Sequence, residues 1–235
     1  MDLFKRYFAL FIIFVVIALL WNTVVMVPLK LFVVFMHEVS HGLAAKATGG
    51  EIVTIEVNQN QGGMAVTQGG SRFWTLTAGY LGSLLWGGII LLLAARTHLD
   101  KAISILIGIG MIAISIGFGS DVFTYLFGIG FGVVLILFGT FLPEVVNDWM
   151  LRIIGVTSCL YAILDIKSDV LDRSHLRSDA RMLSEEIGIF STEVWGILWI
   201  LIAIVLTIWF IYISGKPTST SPTEINDSDS MDITV

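Results

Sequence analysis

Long runs of apolar residues alternate with short polar stretches along most of the chain. The first run, residues 7–27, directly follows Lys5 and Arg6. About 20 apolar residues in a helix cross the roughly 30 Å of bilayer hydrocarbon. The runs are too long for the alternating ten-residue strands of an outer-membrane barrel, so they predict helices. A second helix is predicted at residues 28–46, and further spans at 73–95, 102–118, 122–142, 145–166 and 194–213.

The segment after the second helix has a different pattern. Gly49 and Gly50 are typical of a helix end. Residues 52–57 are rich in β-branched side chains, residues 58–63 have the composition of a turn, and residues 64–67 suit a second short strand. The predicted fold class is therefore an all-α polytopic membrane protein with about seven transmembrane helices and one small β-hairpin.

Polar segments lie before and after the last predicted span. Residues 167–191 are charged, but Ala180, Leu183 and Ile187 follow helical spacing, which predicts an amphipathic helix at the water boundary. Beyond residue 213 the chain is rich in Ser, Thr and Asp and has little to bury. We predict an integral membrane domain at residues 1–213 and a disordered acidic tail at 214–235.

Composition and charge narrow the function classes. The chain is 56% hydrophobic and 14% charged, as expected of an integral membrane protein, and its net charge of -6 includes no basic cluster that would indicate a nucleic-acid partner. Seven crossings place eight lysines and arginines on the side of the N-terminus and five on the other. The positive-inside rule then predicts a multi-pass protein with a cytoplasmic N-terminus.

The second predicted helix carries His37, Glu38 and His41, in the pattern HExxH. Residues four apart share a helix face, so both imidazoles can bind one Zn²⁺ while Glu38 lies beside them. A third protein ligand and an open position for water would complete a hydrolytic zinc site, with Glu38 as the general base. Three polar residues in an apolar helix are costly in lipid, which favours a functional role.

These residues belong to a longer resemblance. HEVSHGLAAKATGG, the hairpin, GGSRFWTLTAGYLGS, and later LYAILDIKSDV and the SDA segment resemble the site-2 protease type of intramembrane zinc metalloprotease, in particular the M50B-like peptidases. The resemblance implies cleavage of peptide bonds in membrane-spanning or membrane-proximal substrates, within the lipid bilayer. It also implies an aspartate from a later helix as the third zinc ligand.

Asp165 is the preferred third ligand. It ends the sixth predicted span at the depth expected for the two histidines, where a carboxylate is costly unless a cation holds it. Asp169, one helical turn further on, is the alternative, either as a ligand or as a group that orients a histidine. The other aspartates left open at this point are Asp121, Asp148, Asp172 and Asp179.

One other interpretation competes with a protease. The protein could be a non-hydrolytic transporter or scaffold in which the histidines form a structural metal site or a polar network.

The hairpin could present a strand edge that binds a substrate in extended form, or it could simply pack on its own protein. The glycines near residues 108 and 128 are expected to permit close helix packing.

Overall fold

The computed structural model describes residues 3–172 and 177–216. Nearly all of the predicted acidic tail lies outside the described residues, since only Ser214, Gly215 and Lys216 of it are described. The helices are α1 (Leu3–Leu20), α2 (Val27–Ala47), α3 (Arg72–Arg96), α4 (Asp100–Phe118), α5 (Val122–Phe141), α6 (Glu144–Lys167), α7 (Asp179–Ile187) and α8 (Thr192–Gly215). The strands are β1 (Glu51–Val57) and β2 (Gly63–Gln68).

Within the described residues, six helices are long and apolar enough to cross a membrane: α2 to α6 and α8. The predicted fold class is confirmed as an all-α polytopic membrane protein with a small two-stranded sheet. The first predicted span divides into α1 and a 3-10 turn at Val24–Met26, which leads directly into α2. The seventh crossing therefore stays a prediction.

The start of α1 lies beside the end of α8. The Arg6 guanidinium donates to the Lys216 carbonyl at 3.1 Å, and the Tyr7 hydroxyl donates to the Tyr212 carbonyl at 2.9 Å. This contact places Arg6 beside Lys216, whereas seven crossings would place the two residues on opposite sides of the membrane. If Lys5 and Arg6 are counted on the same side as Lys216, the eight-to-five excess of lysines and arginines disappears. The cytoplasmic N-terminus therefore stays a prediction.

Helix α2 lies inside the bundle and packs against α3 and α6. Phe32 and Phe35 on α2 are completely buried. Small residues let α3 and α6 approach closely, since a Cβ at Gly87 would lie 2.9 Å from the Gly155 carbonyl oxygen. The packing places the middle of α2 among protein side chains instead of lipid.

Helices α4 and α5 form a more peripheral pair. A Cβ at Gly108 would lie 2.5 Å from the Gly132 carbonyl oxygen, and a Cβ at Gly128 would overlap the Ser115 hydroxyl. These glycines therefore permit the predicted close approach of α4 and α5. Gly110 and Gly130 instead face open space, with nothing within 4 Å of an added Cβ. The predicted packing role therefore holds for only some of the glycines.

The hairpin is joined to this pair along one edge. Strands β1 and β2 are antiparallel, with Ile55 opposite Ala65. On its other side Ile55 bridges to Gly119 in the α4–α5 loop, and the Val57 amide donates to the Thr124 hydroxyl at 2.8 Å. The outer edge of β1 is thereby covered. No strand covers the outer edge of β2 within the described part of the chain.

Candidate metal centre

His37 and His41 lie on one face of α2 and point towards α3. Their ring centroids are 4.7 Å apart, with an interplanar angle of 74°. Gly79 on α3 makes the room that the rings need, since a Cβ there would lie 2.4 Å from His37 Nε2 and 2.5 Å from His41 Nε2. The α2–α3 contact therefore leaves a space into which both Nε2 atoms project.

Asp179 completes the group. Its Oδ2 atom lies 3.0 Å from His37 Nε2 and 3.1 Å from His41 Nε2. Among the described residues, these three side chains are the only group of at least three His, Cys, Asp or Glu residues whose ligand atoms all lie within 4.8 Å of one another. The structure therefore brings two imidazoles and one carboxylate to a common point.

Asp179 is the first residue of helix α7. The Ser178 hydroxyl caps the helix by accepting from the Arg181 amide at 3.3 Å. Ala180 and Leu183 are completely buried, and they hold the apolar face of α7 against the bundle. Burial alone would raise the pKa of the Asp179 carboxyl, but the charge of His41 and hydrogen bonds with both histidines hold this pKa below its usual value.

Asp165 and Asp169 lie beside this group. Asp165 lines the same cavity as the two histidines, yet it is not one of the three side chains whose ligand atoms converge. Asp169 accepts a hydrogen bond of 2.8 Å from the Tyr80 hydroxyl, and the Tyr80 ring packs edge-on against His37 at 5.0 Å. The structure thus brings Asp179, and not the predicted Asp165, within about 3 Å of the two histidine rings.

Glu38 lies between the histidines and the hairpin. It is buried, with 6% of its surface exposed, and the Ala65 amide of β2 lies near its carboxylate. A Cβ at Gly63 would lie 2.6 Å from Glu38 Oε1, so a glycine at this position lets the strand pass close to the carboxylate. The hairpin therefore shapes the surroundings of the proposed base directly.

The donor set suits a zinc ion. Ligands at about 2.0–2.1 Å from a tetrahedral ion lie about 3.3 Å apart, close to the 3.0 and 3.1 Å between the carboxylate oxygen and the two Nε2 atoms. His41 Nδ1 lies 2.6 Å from the Thr75 carbonyl oxygen. A ring that donates Nδ1–H to a carbonyl keeps the lone pair of Nε2 for a metal.

A half-open cavity of about 690 Å³ surrounds the group. Its lining includes Glu38, residues of β2, Tyr80, Asp169 and Arg72. Carboxylates, imidazoles and an exposed backbone edge thus meet in one water-accessible space. Such an arrangement can hold a cation, bind a peptide backbone and move a proton.

The position of Asp179 beside the two histidines had only a weak signal in the sequence. The helical spacing of Ala180 and Leu183 correctly predicts an amphipathic helix, and the buried face puts the adjacent Asp179 against the bundle. No local pattern indicates how far back towards α2 this helix folds. Of the other histidines, His98 is exposed between α3 and α4, whereas His175 lies outside the described residues.

Fold and site together define a multi-pass integral membrane protein with two histidines and one aspartate at metal-ligand spacing. The family model described as Peptidase M50B-like matches residues 10–210, and the chain belongs to this family of membrane metallopeptidases. The family is generally zinc-dependent and implies membrane-embedded substrates. No curated protein and no solved structure matches the chain.

Proposed function

We propose that this protein is an intramembrane zinc metallopeptidase with His37, His41 and Asp179 as zinc ligands and Glu38 as general base. The observation that carries the proposal is the convergence of both Nε2 atoms on one Asp179 oxygen, 3.0 and 3.1 Å away. Family membership supports the same class of reaction. Zinc held by these residues would supply a Lewis acid and lower the pKa of water to about 7.

Glu38 handles the protons of the reaction. Its carboxylate takes a proton from the attacking water and gives it to the leaving amine as the peptide bond breaks. The position of Glu38, next to His37 in sequence and buried against β2, supports this role. The close approach of β2 to the carboxylate restricts its movement, so that little reorganisation is needed during the reaction.

The uncovered edge of β2 binds the substrate as an added strand. A helical peptide bond is shielded from attack, so a membrane-spanning substrate must become extended before cleavage, and pairing with a strand edge holds it in that form. The Ala65 amide points away from β1, towards Glu38. The Thr67 amide, two residues along, points the same way. A substrate paired there passes alongside the proposed metal.

The base assignment is tested with a membrane-tethered reporter in proteoliposomes. Glu38→Gln keeps the shape of the side chain but cannot accept a proton, so we expect zinc to stay bound and cleavage to fall by at least a thousandfold. Glu51→Gln, an exposed carboxylate at the start of β1, is the matched control and should cleave normally. Wild-type activity in Glu38→Gln would refute the proposed base.

The ligand assignment is tested by metal content. We expect His37→Ala and Asp179→Ala to lose zinc, whereas Asp165→Ala retains it and keeps the protein folded. Zinc loss in Asp165→Ala together with full zinc in Asp179→Ala would instead establish the ligand set predicted from the sequence. Stoichiometric zinc with no proteolysis of any membrane substrate in the wild type would favour a structural metal site.

Strand addition is tested on the free edge of β2. Thr67→Pro removes an outward-pointing amide from the edge, and Thr67→Ala keeps it. We expect the proline variant to lose at least tenfold in cleavage while zinc content is unchanged, and the alanine variant to match the wild type. Equal cleavage by the two variants would contradict substrate binding at this edge.

A further inference from the structure

A second cavity lies at the other end of the helices. It has a volume of about 390 Å³ and lies where α3 and α8 end and where α4 and α6 begin. Because these four helices are candidate membrane spans, their ends mark the depth of the lipid headgroups. The charged residues that line the cavity are Arg6, Arg96, Asp100, Glu144, Asp148 and Arg152.

Asp100 is the unusual member of this set. It is 3% exposed, and its Oδ1 atom is buried without a hydrogen-bond partner within the described residues. The neighbouring carboxylate of Glu144, in contrast, has a donor, because its Oε1 atom accepts a hydrogen bond of 2.6 Å from the Asp100 amide. A buried carboxylate oxygen with no donor is costly, and a bound cationic donor would remove that cost.

The cavity also contains positive charge. Arg6 and Arg96 each donate one hydrogen bond of 3.1 Å to a carbonyl near the end of α8. A guanidinium has five N–H donors in a planar fork, and it suits phosphate oxygens. Arg152 is engaged by Asp148 at 2.6 Å, so Arg6 and Arg96 are the better placed for an anion.

We propose that this cavity binds the headgroup of a zwitterionic phospholipid with a primary amine. The ammonium group donates to Asp100, and the phosphate lies against Arg6 and Arg96. A headgroup of this kind carries both charges at the spacing of one ethanolamine unit, whereas a trimethylated amine has no N–H to give Asp100.

The surroundings favour a lipid over a soluble ligand. Val145, which lines the cavity, is 65% exposed. Leu99, which precedes Asp100 in the chain, is 61% exposed, and Phe141, three residues before Glu144, is 75% exposed. These apolar side chains suit acyl chains continuing from a bound headgroup. A divalent cation is disfavoured because, in the described part of the chain, the three carboxylates do not form a group with ligand spacing.

The test uses the full chain purified in detergent and stripped of lipid. Short-chain phospholipids with ethanolamine, choline or glycerol headgroups are titrated, and the melting temperature is followed by tryptophan fluorescence. We expect the ethanolamine lipid to stabilise the wild type with about tenfold higher apparent affinity than the other two, since a charge-assisted hydrogen bond is lost in each of them. Native mass spectrometry should show the same order of retention.

Two variants test the ammonium contact and the phosphate contact separately. Asp100→Asn should remove the preference for ethanolamine over choline, and Arg96→Gln, an exposed position, should weaken both lipids alike. Glu51→Gln is the control and should behave as the wild type. Equal binding of ethanolamine and choline lipids by the wild type would overturn the proposal. Free phosphoethanolamine acting as strongly as the lipid would overturn the assignment to the membrane.

Discussion

Helices α2 and α8 are both long enough to cross the membrane, but they occupy different surroundings. In an apolar 18-residue stretch of each helix, 67% of the stretch in α2 is buried inside the protein, compared with only 22% of the stretch in α8. Helix α2 carries two histidines and a glutamate in its buried part, whereas α8 has no charged residue after Glu193 and is mostly exposed. Charged and ligand-bearing side chains are thus placed where protein, and not lipid, surrounds the helix.

Among the changes that test this comparison, the largest effect is expected from filling the space beside the two histidines of α2. Gly79→Ala places a Cβ about 2.4 Å from His37 Nε2, so the two rings must move apart. We expect zinc content to fall to a small fraction and cleavage to fall by at least a hundredfold, measured by metal analysis and the reporter assay. Gly110→Ala on α4, where an added Cβ meets open space, should leave both unchanged.

A smaller effect is expected on stability alone. Leu91 on α3 is completely buried, whereas Leu201 on α8 is 56% exposed. Lipid is as apolar as leucine, so the loss in Leu91→Ala comes from packing, at about 2 kcal/mol. Leu201→Ala should change the unfolding free energy by less than about 0.5 kcal/mol. Steric-trapping measurements in bicelles can compare the two, and equal losses would contradict the assigned surroundings.

The hydrogen bond between Tyr80 and Asp169 should contribute about tenfold to cleavage or to zinc affinity. Tyr80→Phe removes the 2.8 Å hydrogen bond to Asp169, next to His37, and should reduce cleavage or zinc affinity by roughly that factor. Tyr125→Phe, which removes a 2.7 Å hydrogen bond to the Gly119 carbonyl at the surface, is the matched control. Identical behaviour of the two variants would remove Tyr80 from the site.

The smallest effect belongs to the peripheral helix pair. Asp121 caps α5 by accepting from the Phe123 and Thr124 amides at 2.8 and 3.1 Å, so Asp121→Ala should cost about 1 kcal/mol of stability without changing cleavage. Burial would raise the Asp121 pKa, but hydrogen bonds from Thr124 and the backbone lower it. The cap is therefore fully present above about pH 3.9 and is lost as the pH falls through the lowered value.

The elements were predictable because their patterns are local. The hairpin at Glu51–Val57 and Gly63–Gln68 and the spans from α3 to α6 lie within a few residues of the predicted bounds. The pairing of His37 with His41 follows from helix geometry alone. The position of Asp179 depends on how α7 folds back onto the bundle, and the position of Arg6 depends on where α1 turns. Neither long-range contact leaves a periodic signal in the sequence.

The distance in sequence between the proposed ligands has a consequence for biosynthesis. Asp179 follows His37 by 142 positions, and four membrane-spanning helices lie between them. With this ligand set, a nascent chain that has inserted α2 still lacks a closed centre until residue 179 has left the ribosome. A growing chain then cannot digest its neighbours in the membrane before its own bundle has been assembled.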